Sequence, residues 1–78
     1  MRMFRKLPSE VQLRAIQREL VFKKDPFSRS LRTHKLNGEF FGRYAFSVDY
    51  DYRIVFRFIK NGTALFLLIG DHSIYDQA

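Results

Sequence analysis

The chain contains no cysteine. Disulfides, thiolate metal sites and a cysteine nucleophile are therefore excluded. It also lacks any apolar run near the roughly 18 residues that a membrane-spanning helix needs. The basic start leads into a charged helix rather than the apolar core of a secretion signal. These absences predict a soluble cytoplasmic domain that contacts no membrane. Neither a Walker loop nor a dinucleotide glycine pattern is present. Two histidines without a surrounding ligand set do not make a metal site, and neither Ser47 nor Ser73 sits in a nucleophile elbow. An enzyme built on this chain would work with no metal and no cofactor. Negative charge is scarce too: 8 Asp+Glu stand against 14 Lys+Arg, a formal net charge of +6.

What is present fits one small domain over residues 1–78. Area scaling gives a chain of this mass roughly 63 % burial of its unfolded surface, which makes for modest stability. Leu, Ile, Val and Phe supply 26 residues, a third of the chain, too apolar for intrinsic disorder. The charge is uneven. Residues 1–38 hold ten Lys/Arg and three Asp/Glu, a net of +7, while residues 39–78 hold four and five, a net of −1. A cationic half attracts polyanions such as nucleic acid, an acidic protein segment or anionic lipid. A solvated helix surface that keeps a small protein soluble has the same composition.

Ser9, with Gln12 three residues on, has the pattern of a capping box, and Leu13, Ile16 and Leu20 follow at helical spacing. Ala15 and Val21 or Phe22 widen that apolar stripe, and Arg14, Gln17, Arg18, Lys23 and Lys24 fall mostly off it. Asp25-Pro26 ends the helix, because proline disfavours helical geometry at the preceding residue and lacks an N–H. The helix is predicted over 9–24, and Arg2 to Leu7 could form a preceding helical tail broken at Pro8. Residues 27–42 read as a connector anchored by Leu31, Leu36, Phe40 and Phe41, with bends at Gly38 and Gly42. From Arg43 to Tyr50 the period changes to two, the mark of a half-buried strand. A turn near Asp49–Asp51 leads to a second strand, Tyr52–Ile59, with Ile54, Phe56 and Phe58 on one face and Arg53, Val55 and Arg57 on the other. Asn61-Gly62 marks a type I′ hairpin, and Ala64–Ile69 reads as a third strand, central or covered on both faces. The expected fold is α+β: an N-terminal helix, or helical hairpin, packed on one face of an antiparallel three-strand meander whose other face is open.

Chemistry is expected on that open face and at the C-terminal end. Arg53 and Arg57 stand two strand steps apart, which suits successive phosphates of an RNA strand, and a guanidinium can fork two N–H donors onto phosphate oxygens. An ion pair with Asp49, Asp51 or Glu39 is the structural alternative. His72 can give or take a proton at neutral pH, and the Tyr75 phenol can donate one. His34 lies in a polar connector beside Lys35, and Asp51 is most simply a turn former.

The ordered set Lys6-Leu7-Pro8, Asp25-Pro26-Phe27, His34-x-Leu36-x-Gly38, Gly42 with Tyr-x-Phe-Ser, Tyr52-Arg53-Ile54-Val55-Phe56 and Ile69-Gly70-Asp71-His72-x-x-Tyr75 resembles the RelE/ParE toxin superfamily. The nearest likeness is to the RelE/YafQ-like mRNA interferases of type II toxin–antitoxin systems. That resemblance implies a RelE-like domain whose usual first strand is missing ahead of Met1. It implies a metal-independent endoribonuclease that cuts mRNA, usually on the ribosome, by attack of the 2′-OH on the adjacent phosphate. Arg53 matches the arginine aimed at the scissile phosphate, and His72 a general acid. His34 matches a connector histidine, Asp51 a carboxylate near the site, and Tyr75 a C-terminal aromatic. Lys35, Arg43 and Arg57 are the basic residues for RNA contact. A cognate antitoxin would be the protein partner, in a dimer or a toxin–antitoxin hetero-oligomer. The alternatives are a truncated toxin or ParE-like module that binds an antitoxin or gyrase without catalysis, and a basic RNA-binding domain.

Overall fold

The computed structural model describes residues 2–60 and 62–71. A short helix α1 (Arg2–Arg5) precedes the main helix α2 (Ser9–Lys24). Two 3-10 turns, Arg29–Leu31 and Gly38–Phe40, flank a two-residue strand β1 (His34–Lys35). Strands β2 (Tyr44–Ser47), β3 (Arg53–Lys60) and β4 (Thr63–Gly70) complete an antiparallel sheet in the order β1-β2-β3-β4. The α+β class is as expected, but the sheet has four strands rather than three. The extra one lies inside the predicted connector, where His34 and Lys35 pair with Ala45 and Tyr44. Two residues carry no alternation, so no period-two signal announces them.

The start of α2 differs from the capping-box reading. Pro8 is the N-cap, Ser9 is already helical, and no side chain caps the helix. Proline's fixed φ suits that position, and its carbonyl accepts from the N–H groups of Val11 and Gln12 at 3.0 Å each. The Gln12 amide instead donates to the Leu7 carbonyl at 2.9 Å, tying α2 to the chain leaving α1. The far end stops where expected. Asp25 is extended, and its carboxylate accepts from the Phe27 N–H at 3.0 Å.

The orientation of α2 is the main departure from the sequence reading. Val11, Ala15 and Phe22 are buried, whereas Leu13, Ile16 and Leu20 are 64, 49 and 57 % exposed. The reason is the sheet's demand for an aromatic. Phe22 stacks on Phe46 with centroids 5.0 Å apart and meets Phe56 and Phe66 edge-on at 4.8 and 5.2 Å. Ala15, one turn before Arg18 on the same face, is buried in the same cluster. Ile54, Phe56 and Phe58 do face α2, as their alternation implies.

The other sheet face is not open throughout. Phe40, Ala45 and Val55 form a second buried cluster, with Leu36 and Leu68 against it. Leu31 is buried as an anchor, but Phe41 is 83 % exposed. Strand β4 is the last in the sheet rather than a central one. Ala64, Phe66 and Ile69 pack toward α2 and Leu68 packs toward Phe40, while Leu65 is 40 % exposed, so the second face is covered only in part. The predicted hairpin forms, with Gly62 at φ +79°; Asn61 lies outside the described residues.

Candidate functional site

The strand β2 ends earlier than alternation suggests, and that early end builds the site. Beyond Ser47 the chain leaves the ladder, and the N–H of Val48 bonds the Tyr52 carbonyl at 2.9 Å. The Asp49 carboxylate then accepts from the N–H groups of Asp51 and Tyr52 at 2.9 and 3.0 Å. This is an aspartate turn that reproduces a backbone turn with a side chain. Its carbonyls point back toward β3, and the Arg53 Nη1 donates to those of Asp49, Tyr50 and Tyr52 at 2.8, 3.2 and 3.1 Å. Arg53 thus braces the β2–β3 turn. All three contacts engage one nitrogen, so Nε and Nη2 make no hydrogen bond among the described residues.

A cleft of about 840 Å³ lies beside this turn, at the end of the sheet where β2 stops, β3 begins and β4 finishes. Three arginines from three elements line it. Arg53 comes from β3, Arg18 from α2 and Arg32 from the segment after the first 3-10 turn. Arg18 is held in place by Nε donating to the Val48 carbonyl at 3.3 Å. Arg32 sits in the left-handed region, φ 54° and ψ 40°, with its N–H on the Arg29 carbonyl at 3.2 Å. A non-glycine residue there stores about 1 kcal/mol or more, and such strain clusters at functional sites. None of the three arginines is in an ion pair among the described residues. The carboxylates of Asp49, Asp51 and Asp71 share the cleft, together with Ser30, Ser47 and two tyrosines. Among the described residues no group of three or more acidic or histidine side chains is arranged to hold a metal ion.

The cleft brings Arg53 and Asp51 together. The other sequence candidates stand elsewhere. His34 is exposed on β1, with Nδ1 3.0 Å from the Arg32 carbonyl, and is not part of the cleft wall. Lys35 and Arg57 are exposed and Arg43 is half-buried, all three away from the cleft. The sheet-face ion pair considered for Arg53 does not form; its partners are carbonyls. His72 and Tyr75 lie outside the described residues, which end at Asp71 on the cleft wall.

Sequence reading missed Arg18 and Arg32. Arg18 had a signal: it falls seven residues after Val11 and four before Phe22, so a helix that buries those two aims Arg18 inward as well. Arg32 had none, because a left-handed arginine has no composition signature. No helix is long and apolar enough to cross a membrane among the described residues. Comparison of the chain with protein-family models, with curated proteins and with solved structures finds no match.

Proposed function

We propose that this cleft binds the phosphodiester backbone of RNA, and that the chain is a metal-independent endoribonuclease of the RelE/YafQ-like kind, the toxin of a type II toxin–antitoxin pair acting on mRNA at the ribosome. The observation that carries the reading is the convergence of Arg18, Arg32 and Arg53 on one cleft, with no ion pair to any of them among the described residues. Guanidinium groups are the side chains best matched to phosphate oxygens.

The chemistry follows from the groups at hand. The 2′-oxygen forms a bond to phosphorus while the bond from phosphorus to the 5′-oxygen breaks, leaving a 2′,3′-cyclic phosphate and a 5′-OH. Negative charge builds on the phosphoryl oxygens, and a fixed cation there favours the transition state over the bound substrate. Asp51, exposed on the cleft wall, is the carboxylate available to take the 2′-OH proton. His72, the second residue after Gly70 in chain order, is the candidate acid for the 5′-oxygen. A positioned acid or base contributes about 10²–10⁴-fold.

The test is primer extension on mRNA after induction, with the 3′ ends of the fragments analysed for cyclic phosphate. Wild type should arrest growth and cleave; Arg53→Ala and His72→Gln should do neither. Equal toxicity of both variants counts against a ribonuclease. A second reading, a non-catalytic module that engages an antitoxin or gyrase, draws support from the carbonyl contacts of Arg53, which give that residue a structural task of its own.

A further inference from the structure

The outward face of α2 is as apolar as its inward face. Leu13, Ile16 and Leu20 recur at i, i+3 and i+7 and stand about half to two-thirds exposed. At 3.6 residues per turn Leu13 and Leu20 lie opposite Val11, Ala15 and Phe22, and Ile16 lies on one flank, where it also borders a groove shared with Phe4, Ala15 and Ile54. A helix that only had to cover the sheet would present polar residues there, and a contiguous exposed apolar stripe marks an interaction surface.

The pattern along that stripe identifies its occupant. About a midpoint between Ile16 and Gln17, the helix is complementary to itself when reversed. Leu13 meets Leu20 of a second copy. One flank carries Glu10, Gln17 and Lys24 at seven-residue spacing, and the other carries Ser9, Ile16 and Lys23. In an antiparallel pair related by a two-fold axis each flank meets its own reversed image. Glu10 then faces Lys24 of the second copy at both ends, Gln17 faces Gln17, and Ile16 faces Ile16 across the axis. Lys23 faces Ser9, so no like charges are opposed. The parallel arrangement sets each flank against the other, so Lys24 of each chain faces Lys23 of its partner and they repel, while Glu10 faces only Ser9.

We propose that a second copy of this chain packs on the outward face of α2, antiparallel and two-fold symmetric, through Leu13, Ile16 and Leu20 with a Glu10–Lys24 pair at each end. Such isologous self-pairing is the commonest closed symmetry of soluble proteins. Arg18 lies on the inward side of the helix, so the pair leaves both clefts open to substrate. The proposal stands apart from the nuclease reading. A 16-residue helix is about 24 Å long, and one helix pair lies near the small end of specific interfaces, about 1,200 Å². With a net charge of +6 on each chain, a weak dimer is the expectation.

The absence of cysteine makes the test clean. Ile16→Cys places one thiol beside the two-fold axis and should cross-link to a dimer under mild oxidation, much faster than Tyr50→Cys, a control at a 90 % exposed position that is not on the outward stripe of α2. In sedimentation equilibrium Glu10→Lys and Lys24→Glu should each weaken association about 3- to 10-fold, and the double variant should recover wild-type association to within about 2-fold. Circular dichroism confirms that each variant is folded. A chain that stays monomeric up to about 1 mM overturns the proposal. So does a dimer with no charge-swap recovery, or a monomer that binds a different protein through this stripe.

Discussion

Arg53 has two tasks in this reading, and replacing it separates them. Its Nη1 donates to three turn carbonyls within 3.2 Å, while its remaining donors are left for a phosphate. Hydrogen bonds from a charged donor each contribute about 1.5–3 kcal/mol, but the three here share two protons on a half-buried group, so Arg53→Ala should cost about 2–3 kcal/mol. Against a total of about 4–12 kcal/mol for a chain of this length, that is a large fraction. It should lower Tm by about 10–20 °C, read by thermal denaturation. Loss of RNA cleavage in that variant alone would therefore not implicate the phosphate. Arg53→Lys is the discriminating change. An ammonium carries three donors and can satisfy the carbonyls, but it lacks the planar fork. Stability should stay within about 1 kcal/mol of wild type while cleavage falls by about 10²–10³, the effect of removing one transition-state donor. A lysine variant that is folded and cleaves within about 3-fold of wild type would refute phosphate contact by the guanidinium. An alanine variant with unchanged Tm would refute the carbonyl bracing.

Phe22→Ala should cost about 3–5 kcal/mol by emptying the aromatic centre of the core, whereas Phe41→Ala, at an 83 % exposed ring, should change stability by less than about 0.5 kcal/mol; urea denaturation compares them. Asp49→Ala should lose about 1–2 kcal/mol, because two backbone N–H groups lose their acceptor, while Asp51→Ala should leave stability unchanged and lower cleavage. Arg32→Gly relieves the left-handed backbone, so it should raise stability by up to about 1 kcal/mol yet weaken RNA binding, measured by fluorescence anisotropy with a single-stranded oligoribonucleotide. If three arginines neutralise three phosphates, log affinity against log salt should have a slope of about −2, falling toward about −1.4 in Arg32→Gly.

The class of the fold was legible because two periods divide the chain. Helical spacing up to Asp25-Pro26 and alternation from Tyr44 onward require a helix on a sheet, and the partition of Ile54 and Phe56 from Val55 follows from strand geometry alone. The strand β1 was not legible, because its pairing is set by where Ala45 offers a ladder edge rather than by its own residues. The cleft was legible in part. Arg53 stood out as an arginine in an apolar strand, and Asp51 as an acid in the adjacent turn. Their companions Arg18 and Arg32 came from sequence positions 35 and 21 residues earlier than Arg53, and only the packing of α2 and the strained turn after Leu31 bring them near.

The orientation of α2 shows why periodicity alone could not find that site. Counting apolar residues at helical spacing identifies a stripe but does not say which side the stripe faces, and α2 has two. The stripe of larger aliphatics, Leu13, Ile16 and Leu20, looks the better core by hydrophobicity. The sheet selects the other, because its inner face presents the rings of Phe46, Phe56 and Phe66, and an aromatic with a small neighbour packs into such a surface more closely than three branched aliphatics do. Turning the helix by half a revolution then has two consequences. It carries Arg18 from the solvent side to the cleft, where it joins Arg53, and it leaves a leucine–isoleucine stripe facing outward. The arginine-lined cleft and the outward apolar stripe are thus two results of one packing choice, and a variant that reversed it, Phe22→Leu with Leu20→Phe, should disturb both together.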